Sequence, residues 1–509
     1  MNIHHLPGPI HFVGIGGIGM SGIAEVLYNA GFEVRGSDEM DGSNVQRLRA
    51  LGIQVALKHD VNNLSNAKTV VFSSAIKSSN PELIAARQRS ITVLHRGDIL
   101  AEIIRQKRSV VVAGTHGKTT TTSMIGALLD ASTLSPTIIN GGIINAYNSP
   151  VKLGAGEWVV VESDESDGSF VKLPAEVVVV TNIGREHLNY YRSFEKLKNA
   201  FQHFIEQIPL HGFAVLCIDH PVVCRLSEQI KNRRIITYSL NKEADVTCKA
   251  RVLENGMSRF TVDIHAGKPG GSTRIKDLKI KAVGAHNISN ACAAVAVANQ
   301  LGLSSDVIYR GFSEFAGVSR RFTNTGDYNG IRVFDDYGHH PSEIDTVLRV
   351  AGEVIASEVQ NGRIIAIVQP HRYTRLACLF NEFCQIFKSA DYVLITDIYA
   401  AGEEPLAGIT KEVLADSIRA KGHLGVSVVD DMSSIPQMVS SIARPGDYVI
   451  LFGAGDITKY ANELPRQLAA LSQREDYKNS RSMVQSSTTC FTDLDAQILC
   501  SKKQIEQIA

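Results

Sequence analysis

The 509-residue chain has no charge bias, because 52 Lys and Arg are matched by 52 Asp and Glu. That balance removes the general electrostatic attraction expected toward nucleic acid or an anionic membrane, so neither is expected as a partner. No run of 18 or more apolar residues occurs, so no transmembrane helix is expected. The first nine residues, Met1 to Pro9, lack a basic stretch followed by an apolar core, so they do not read as a secretory signal. Cysteines stand at Cys217, Cys224, Cys248, Cys292, Cys378, Cys384, Cys490 and Cys500, and none forms a C-x-x-C pair, so neither a zinc ribbon nor a redox motif is indicated. In a chain of this length the expectation is reduced thiols in a cytoplasmic protein. What is present, 44% hydrophobic and 20% charged residues, is the composition of a globular protein with enough chain for about three domains of roughly 100–200 residues each.

Two glycine loops stand out. Val110 to Ala113 reads as a buried strand that empties into Gly114-Thr115-His116-Gly117-Lys118-Thr119 and then a helix-forming stretch through Thr120. Glycines there let backbone N–H groups turn inward around a polyphosphate, Lys118 reaches the terminal phosphates, and the Thr119 hydroxyl suits Mg²⁺. The common G-x-x-x-x-G-K-[ST] loop would put its first glycine at Val112, so this is a shortened form. It makes ATP the first ligand to consider. Near the N-terminus, Gly14, Gly16 and Gly19 form G-x-G-x-x-G after the strand-like Ile10 to Val13 and before a helical Met20 to Ala30, with Gly17 inside the loop. Asp38 follows 19 residues later, which fits a diphosphate at a helix N-terminus without saying which nucleotide carries it.

Short β-branched runs alternate with helical stretches along most of the chain. Val70 to Ser74, Trp158 to Glu162, Val177 to Thr181, Ala214 to Cys217, Ile364 to Val368 and Tyr448 to Phe452 all read as strands of parallel sheets. Between about 235 and 283 the pattern turns to polar alternation, a small antiparallel insert with a hairpin tip at Lys268 to Ser272. Loops at strand ends concentrate chemistry. Glu162-Ser-Asp-Glu-Ser-Asp167 offers carboxylates for Mg²⁺, His187 can ligate metal or position a nucleophile, and Ser319-Arg320-Arg321 offers guanidinium groups to a phosphoryl group. Asp335 to Pro341 and Gln369 to Arg375 end two further strands, with cations suited to carboxylates.

Taken together, the motifs His11 to Ser21, Gly114 to Thr122, Glu162 to Asp167, His286-Asn-Ile-Ser-Asn290, Ser319 to Phe322, Asp335-Asp-Tyr-Gly-His-His-Pro341 and Gln369-Pro-His-Arg-Tyr-Thr-Arg375 resemble the muramyl ligases of peptidoglycan synthesis. The resemblance runs in family order from about residue 8 to 460. It implies an α/β chain of three domains: a Rossmann-like UDP-sugar domain over 1–106, a central P-loop-type ATPase domain over 107–317 with a parallel sheet and the small antiparallel insert, and a C-terminal α/β Rossmann-like domain over 318–471. A polar tail over 472–509, rich in Ser and Thr, reads as disordered. The implied activity is ATP-dependent attachment of L-alanine to the lactyl carboxylate of UDP-N-acetylmuramate through an acyl phosphate, by a monomer or homodimer. By family position Gly14, Gly16, Gly17, Gly19, Asp38, Ser73, Ser74 and His95 would bind the UDP-sugar. Gly114, Thr115, His116, Gly117, Lys118, Thr119 and Thr120, with Asn290, Arg321 and Asp336, would bind ATP. Thr119, Glu162 and His187 would hold Mg²⁺, and Tyr337, His339, Arg372 and Arg375 would position alanine and the lactyl carboxylate. Lys118, His187, Arg321, His339, Arg372 and Arg375 are the implied catalytic set.

In one place the chain departs from the family's pattern. Gly184 and Asn189 stand where the family usually carries acids around the histidine, which predicts a weaker second Mg²⁺ site beside His187. Three alternatives fit parts of the same pattern: a recycling ligase that adds a peptide to the same sugar nucleotide, an NAD-dependent oxidoreductase built on the Gly14 loop, and a binding or sensor protein on a degenerate ligase scaffold.

Overall fold

A computed structural model of the chain describes residues 6–254, 256–265, 272–358 and 361–473. The expected hairpin tip at 268–272 lies almost wholly outside them, as does nearly all of the polar tail. The chain divides between Ser319 and Arg320 into two compact units.

The first unit contains two sheets. One has five parallel strands in the order Gln54–Leu57, Val34–Asp38, Ile10–Val13, Thr69–Phe72, Thr92–His95. The order reverses between Ile10–Val13 and Thr69–Phe72, so a crevice opens outside the strand ends where Gly14 and Ser73 stand. The other sheet has ten strands, with Arg108–Ala113 at its centre between Val177–Val180 and Trp158–Glu162. All three of those neighbours run parallel, and Val110 to Val112, Val159 to Val161 and Val177 to Val180 are 0% exposed, which is why they read as unbroken valine runs rather than alternating ones.

The two faces of these strands feed different cores. Val110, Val112, Val160 and Val179 pack with Met124, Leu128 and the alanine-rich helix Ala285–Gln300. Val111, Val159 and Val161 pack instead with Met20, Ile23 and Leu27 of the helix Ile18–Asn29 that follows the first glycine loop. Each such side chain contributes about 1.5–3 kcal/mol on burial. The shared core therefore fixes the Gly14 loop relative to the Gly114 loop.

One expectation is corrected. The antiparallel insert begins later than 235, since Ile235–Ser239 pairs parallel with Phe213–Cys217 and antiparallel pairing starts at Val246–Glu254 with Met257–Ile264. The hairpin of Thr137–Ile144 with Ser149–Lys152 was not foreseen, because its Asn140-Gly141-Gly142 centre interrupts the strand pattern and the register shifts there.

The second unit is a six-stranded sheet in the order Thr323–Tyr328, Ile331–Asp336, Tyr448–Phe452, Ile364–Val368, Tyr392–Ile395, Val426–Val428, parallel except for its first strand. Among the described residues no helix is long and apolar enough to cross a membrane, and the six described cysteines are free thiols.

A buried polar cluster pins the first sheet. Glu82, 0% exposed, accepts from Ser37 Oγ at 2.6 Å, Asn63 Nδ2 at 2.6 Å and the Asp60 N–H at 3.1 Å, and His11 Nε2 lies 3.2 Å away. Burial alone would raise its pKa, but the hydrogen bonds from His11, Ser37 and Asn63 outweigh it and hold the carboxyl at about 2. A depressed carboxyl contributes stability above its unfolded pKa and loses it as pH falls through the folded value, here about 3 kcal/mol lost between about pH 4.5 and 2. Glu82→Ala leaves several buried donors without an acceptor and is expected to destabilise the first unit by about 3–5 kcal/mol. Urea denaturation of the variant checks it; a cost below 1 kcal/mol would refute the account.

Candidate active site

The Gly114 loop leaves the central strand and enters the helix Lys118–Asp130. Gly117 has φ +82°, and a Cβ there would come within 2.7 Å of Asn290 Oδ1, so the position requires glycine and brings Asn290 to the loop. Strand-end residues of Val177–Val180 fasten the loop. The Thr115 and His116 N–H groups donate to Asn182 O at 3.1 Å and Oδ1 at 2.9 Å, and Thr181 Oγ1 donates to His116 O at 2.7 Å. The Gly184 N–H donates to Thr115 Oγ1 at 2.7 Å, so Gly184 serves the loop through its backbone.

Lys118 Nζ donates to Gly114 O at 2.6 Å, Thr115 O at 3.1 Å and Glu165 Oε1 at 3.0 Å. Burial pulls its pKa down, yet Glu165 and Glu162 raise it above the ordinary lysine value, so the ammonium stays charged. Thr119 Oγ1 donates to Glu162 Oε1 at 3.1 Å, while the Gly141 N–H donates to Oε2 at 2.7 Å. His187 lies 3.6 Å from Glu165 and 3.9 Å from Glu186. Burial opposes its protonation, but Glu165 and Glu186 raise its pKa. Asn189 is exposed. Sequence reasoning did not single out Glu165; its one signal was membership of the acidic run after a buried strand.

That acidic run also reaches the first sheet. Asp167 accepts from Ser74 Oγ and lies 3.4 Å from His95 Nε2, and Asp164 pairs with Arg96. His95 caps the helix Arg96–Arg105 by accepting from the Gly97 N–H at 3.2 Å, which places its proton on Nε2, toward Ser74 at 3.1 Å. Burial raises the Asp164 pKa, but Arg96 and the Ser166 contacts bring it down to about 2. Ser73 precedes Ser74 at the same strand end. Asp38 Oδ2 accepts from the Gly16 N–H at 2.8 Å and Oδ1 from the Met40 N–H at 3.1 Å, so it braces the glycine loop.

In the second unit a separate cationic and aromatic cluster gathers at three strand ends. The Arg320 and Arg321 guanidinium carbons lie 4.8 and 5.6 Å from the Tyr337 ring centroid. Asp336 accepts from the Phe322 and Gly338 N–H groups, each at 2.7 Å, and burial pushes its pKa up to about 6 against the pull of Arg321. Tyr337 meets His339 edge-on at 5.3 Å, His339 lies 5.6 Å from His371, and His371 stacks on Tyr399 at 5.4 Å. Arg372 takes a left-handed φ of +70° and its N–H donates to Tyr399 O at 2.9 Å.

The two imidazoles are complementary. His339 Nδ1 is 3.0 Å from Tyr337 O, and a carbonyl can only accept, so Nδ1 carries the proton and Nε2 is a lone pair. His371 Nδ1 faces Arg375 Nη1 at 3.1 Å, and a guanidinium can only donate, so Nε2 carries the proton. Burial, then the neighbouring His339, Arg375, Arg372 and Arg320, depress the His371 pKa to about 3. Burial also lowers His339, opposed by Glu343 and reinforced by Arg375 and Arg321. His371 was not among the site residues expected from sequence.

Comparison with known proteins places these features in one family. Residues 9–108 match the Mur ligase family catalytic domain, 112–298 the Mur ligase middle domain, and 320–455 the Mur ligase glutamate ligase domain. The chain is 52% identical over 462 residues to the UDP-N-acetylmuramate–L-alanine ligase of Brucella anthropi, covering 91% of this chain and 97% of that protein. The crystal structure of UDP-N-acetylmuramate–alanine ligase from Thermotoga maritima matches with TM-score 0.76 at 28% identity, over 92% of this chain and 99% of that one. A murein peptide ligase from Psychrobacter arcticus shares the fold, with TM-score 0.68 at 23% identity over 90% and 98% of the two chains.

Proposed function

The chain belongs to the Mur ligase family, and from that premise we propose that it joins L-alanine to the lactyl carboxylate of UDP-N-acetylmuramate in the cytoplasm, with ATP converted to ADP and phosphate. The observation that carries this reading is the pair of phosphate loops in one compact unit, spanned by the Glu162–Asp167 segment. An oxidoreductase uses the Gly14 loop but gives no role to Lys118, Thr119 and Glu162. The relative at 52% identity favours alanine over a peptide as the acceptor.

The donor set at Thr119 and Glu162, a hydroxyl and a carboxylate in contact at two adjacent element ends, fits a hard divalent cation. These two residues would hold Mg²⁺, with His187 at a second position where Glu165 and Glu186 supply carboxylates near it in place of those missing at Gly184 and Asn189. Bound there, Mg²⁺ supplies charge neutralisation of the transferring phosphoryl group. Lys118 and the first-turn N–H groups of the helix Lys118–Asp130 would hold the β- and γ-phosphates, and Asn290 borders the loop for the adenine side.

The lactyl carboxylate oxygen attacks the γ-phosphorus, the bond to the ADP oxygen breaks, and an acyl phosphate forms. The alanine nitrogen then attacks the acyl carbon, and inorganic phosphate leaves from the tetrahedral intermediate. Arg372 and Arg375 are suited to the carboxylates. Arg321 is suited to the phosphoryl oxygens. The ammonium of free alanine must lose a proton before its nitrogen can attack, and the bare Nε2 of His339 is the acceptor we assign.

ADP release tests the reading. It is expected only with UDP-N-acetylmuramate and L-alanine both present, and to be much slower with a tripeptide. ADP formed at the full rate with neither substrate would refute it, and a faster rate with the tripeptide would favour the recycling ligase. Turnover at all would reject a sensor on a degenerate scaffold.

A further inference from the structure

Neither glycine motif nor family pattern singled out Arg96, yet its position is unusual. It follows the strand Thr92–His95, beside Ser73 and Ser74 and next to the point where the order of the first sheet reverses. Its guanidinium lies over the first turn of the helix Ile18–Asn29: a Cβ added at Gly19 would come within 2.7 Å of Arg96 Nη1. That turn carries no acidic residue. Its N–H groups, like those of any first turn, point outward without intrahelical acceptors and form the positive end of the helix dipole. A cation held against a helix N-terminus opposes the dipole, since that end favours anions. The arrangement becomes favourable when a doubly charged group lies between the two.

The chain supplies only part of that charge. Asp164, from the central sheet, pairs with Arg96, and the Arg96 side chain keeps 22% exposure toward solvent. A guanidinium has five donors in a planar fork, so one edge can serve Asp164 while the other serves phosphate oxygens bidentately.

We propose that Arg96, from its place over the Gly14–Gly19 loop, binds the diphosphate of the sugar nucleotide, using the guanidinium edge that its pairing with Asp164 leaves over. The inference rests on the reading of that loop as the UDP-sugar site and adds a binding residue to it. Asp164 stands two residues from Glu162, so the segment that pairs with Arg96 also carries the carboxylate in contact with Thr119.

Calorimetric titration of the full chain with UDP and with UMP tests it without requiring turnover. Wild type is expected to prefer UDP over UMP. Arg96→Ala should weaken UDP by about 10- to 100-fold, the loss of a charge-assisted pair, and bring UDP and UMP close together. Arg96→Lys, which keeps the charge and loses the fork, should fall between, and it replaces the alanine variant if that one does not fold. Asp164→Asn should keep UDP within about threefold, since the cation remains. UDP affinity unchanged in Arg96→Ala would overturn the proposal. So would an equal loss in Asp164→Asn, because Arg96 would then be only a tie between the two sheets. Wild type failing to bind UDP at all would instead overturn the UDP-sugar reading of the loop, and this inference with it.

Discussion

Lys118→Ala is expected to lower ADP release by at least a thousandfold, about 4 kcal/mol of transition-state stabilisation. In phosphoryl transfer the protein's work is mostly electrostatic: charge spreads over three phosphoryl oxygens, and fixed cations in a water-poor site stabilise it. Lys118 meets that requirement. Its side chain is 15% exposed, Glu165 and Glu162 keep it charged, and Gly114 O and Thr115 O set its direction along the loop. Alanine at 118 also leaves Glu165, with a side chain 3% exposed, without its cation. Some loss of stability should follow, so Lys118→Arg belongs beside it: it keeps Glu165 paired but places a larger head group in a loop sized for lysine. Both variants should bind UDP normally, because the Gly14 loop is untouched. ADP release by Lys118→Ala within tenfold of wild type, with a folded protein by circular dichroism, would refute the role.

The parts of the site that could be read from sequence are those where one local pattern carries the chemistry. A valine run buried on both faces announces a parallel strand, and the loop after it lies at the ligand-facing edge, so Gly114 to Thr119, Glu162 and the Tyr337–Arg375 set were all visible as strand-end loops. What stayed hidden arises from pairs distant in the chain. Glu165 meets Lys118 across 47 positions and Arg96 meets Asp164 across 68, and no periodicity connects such partners. Asp38 was read as a ligand residue, but its role in bracing the Gly16 and Met40 N–H groups appears only when the loop is folded. The protonation pattern of His339 and His371 depends on a carbonyl and a guanidinium facing one nitrogen of each ring, which sequence does not encode locally. Gly184 illustrates the reverse case: a missing acid that looked like a defect lies against Thr115, where a side-chain Cβ would sit 3.2 Å from Thr115 Cγ2, and its N–H supports the phosphate loop.

His339→Gln is expected to cut kcat with L-alanine by about 10²- to 10⁴-fold, the range for a positioned general base, while leaving UDP and ATP binding near wild type. The imidazole acts by accepting the ammonium proton at Nε2, and glutamine offers no comparable basic atom. The pH profile gives the sign. Burial and the nearby Arg375 and Arg321 lower the His339 pKa against the pull of Glu343, so the imidazole is neutral and competent at pH 7 and loses function only on acidification below the ordinary histidine value of 6.5. Wild-type turnover should therefore fall on an acid limb below that pH. His371, held at about 3, stays neutral across the same range and adds no limb. Asp336, at about 6, can titrate there as well, so the limb is assigned by its loss in the variant. A second acceptor separates proton removal from positioning. Hydroxylamine is largely unprotonated at neutral pH and captures an acyl phosphate without a base. If His339 only holds alanine or the acyl group, His339→Gln should lose both acceptors alike and keep its acid limb. If Nε2 takes the proton, the hydroxamate should form at a rate near that of wild type while alanine transfer fails, since the carboxyl is still activated and only the protonated amine is left waiting.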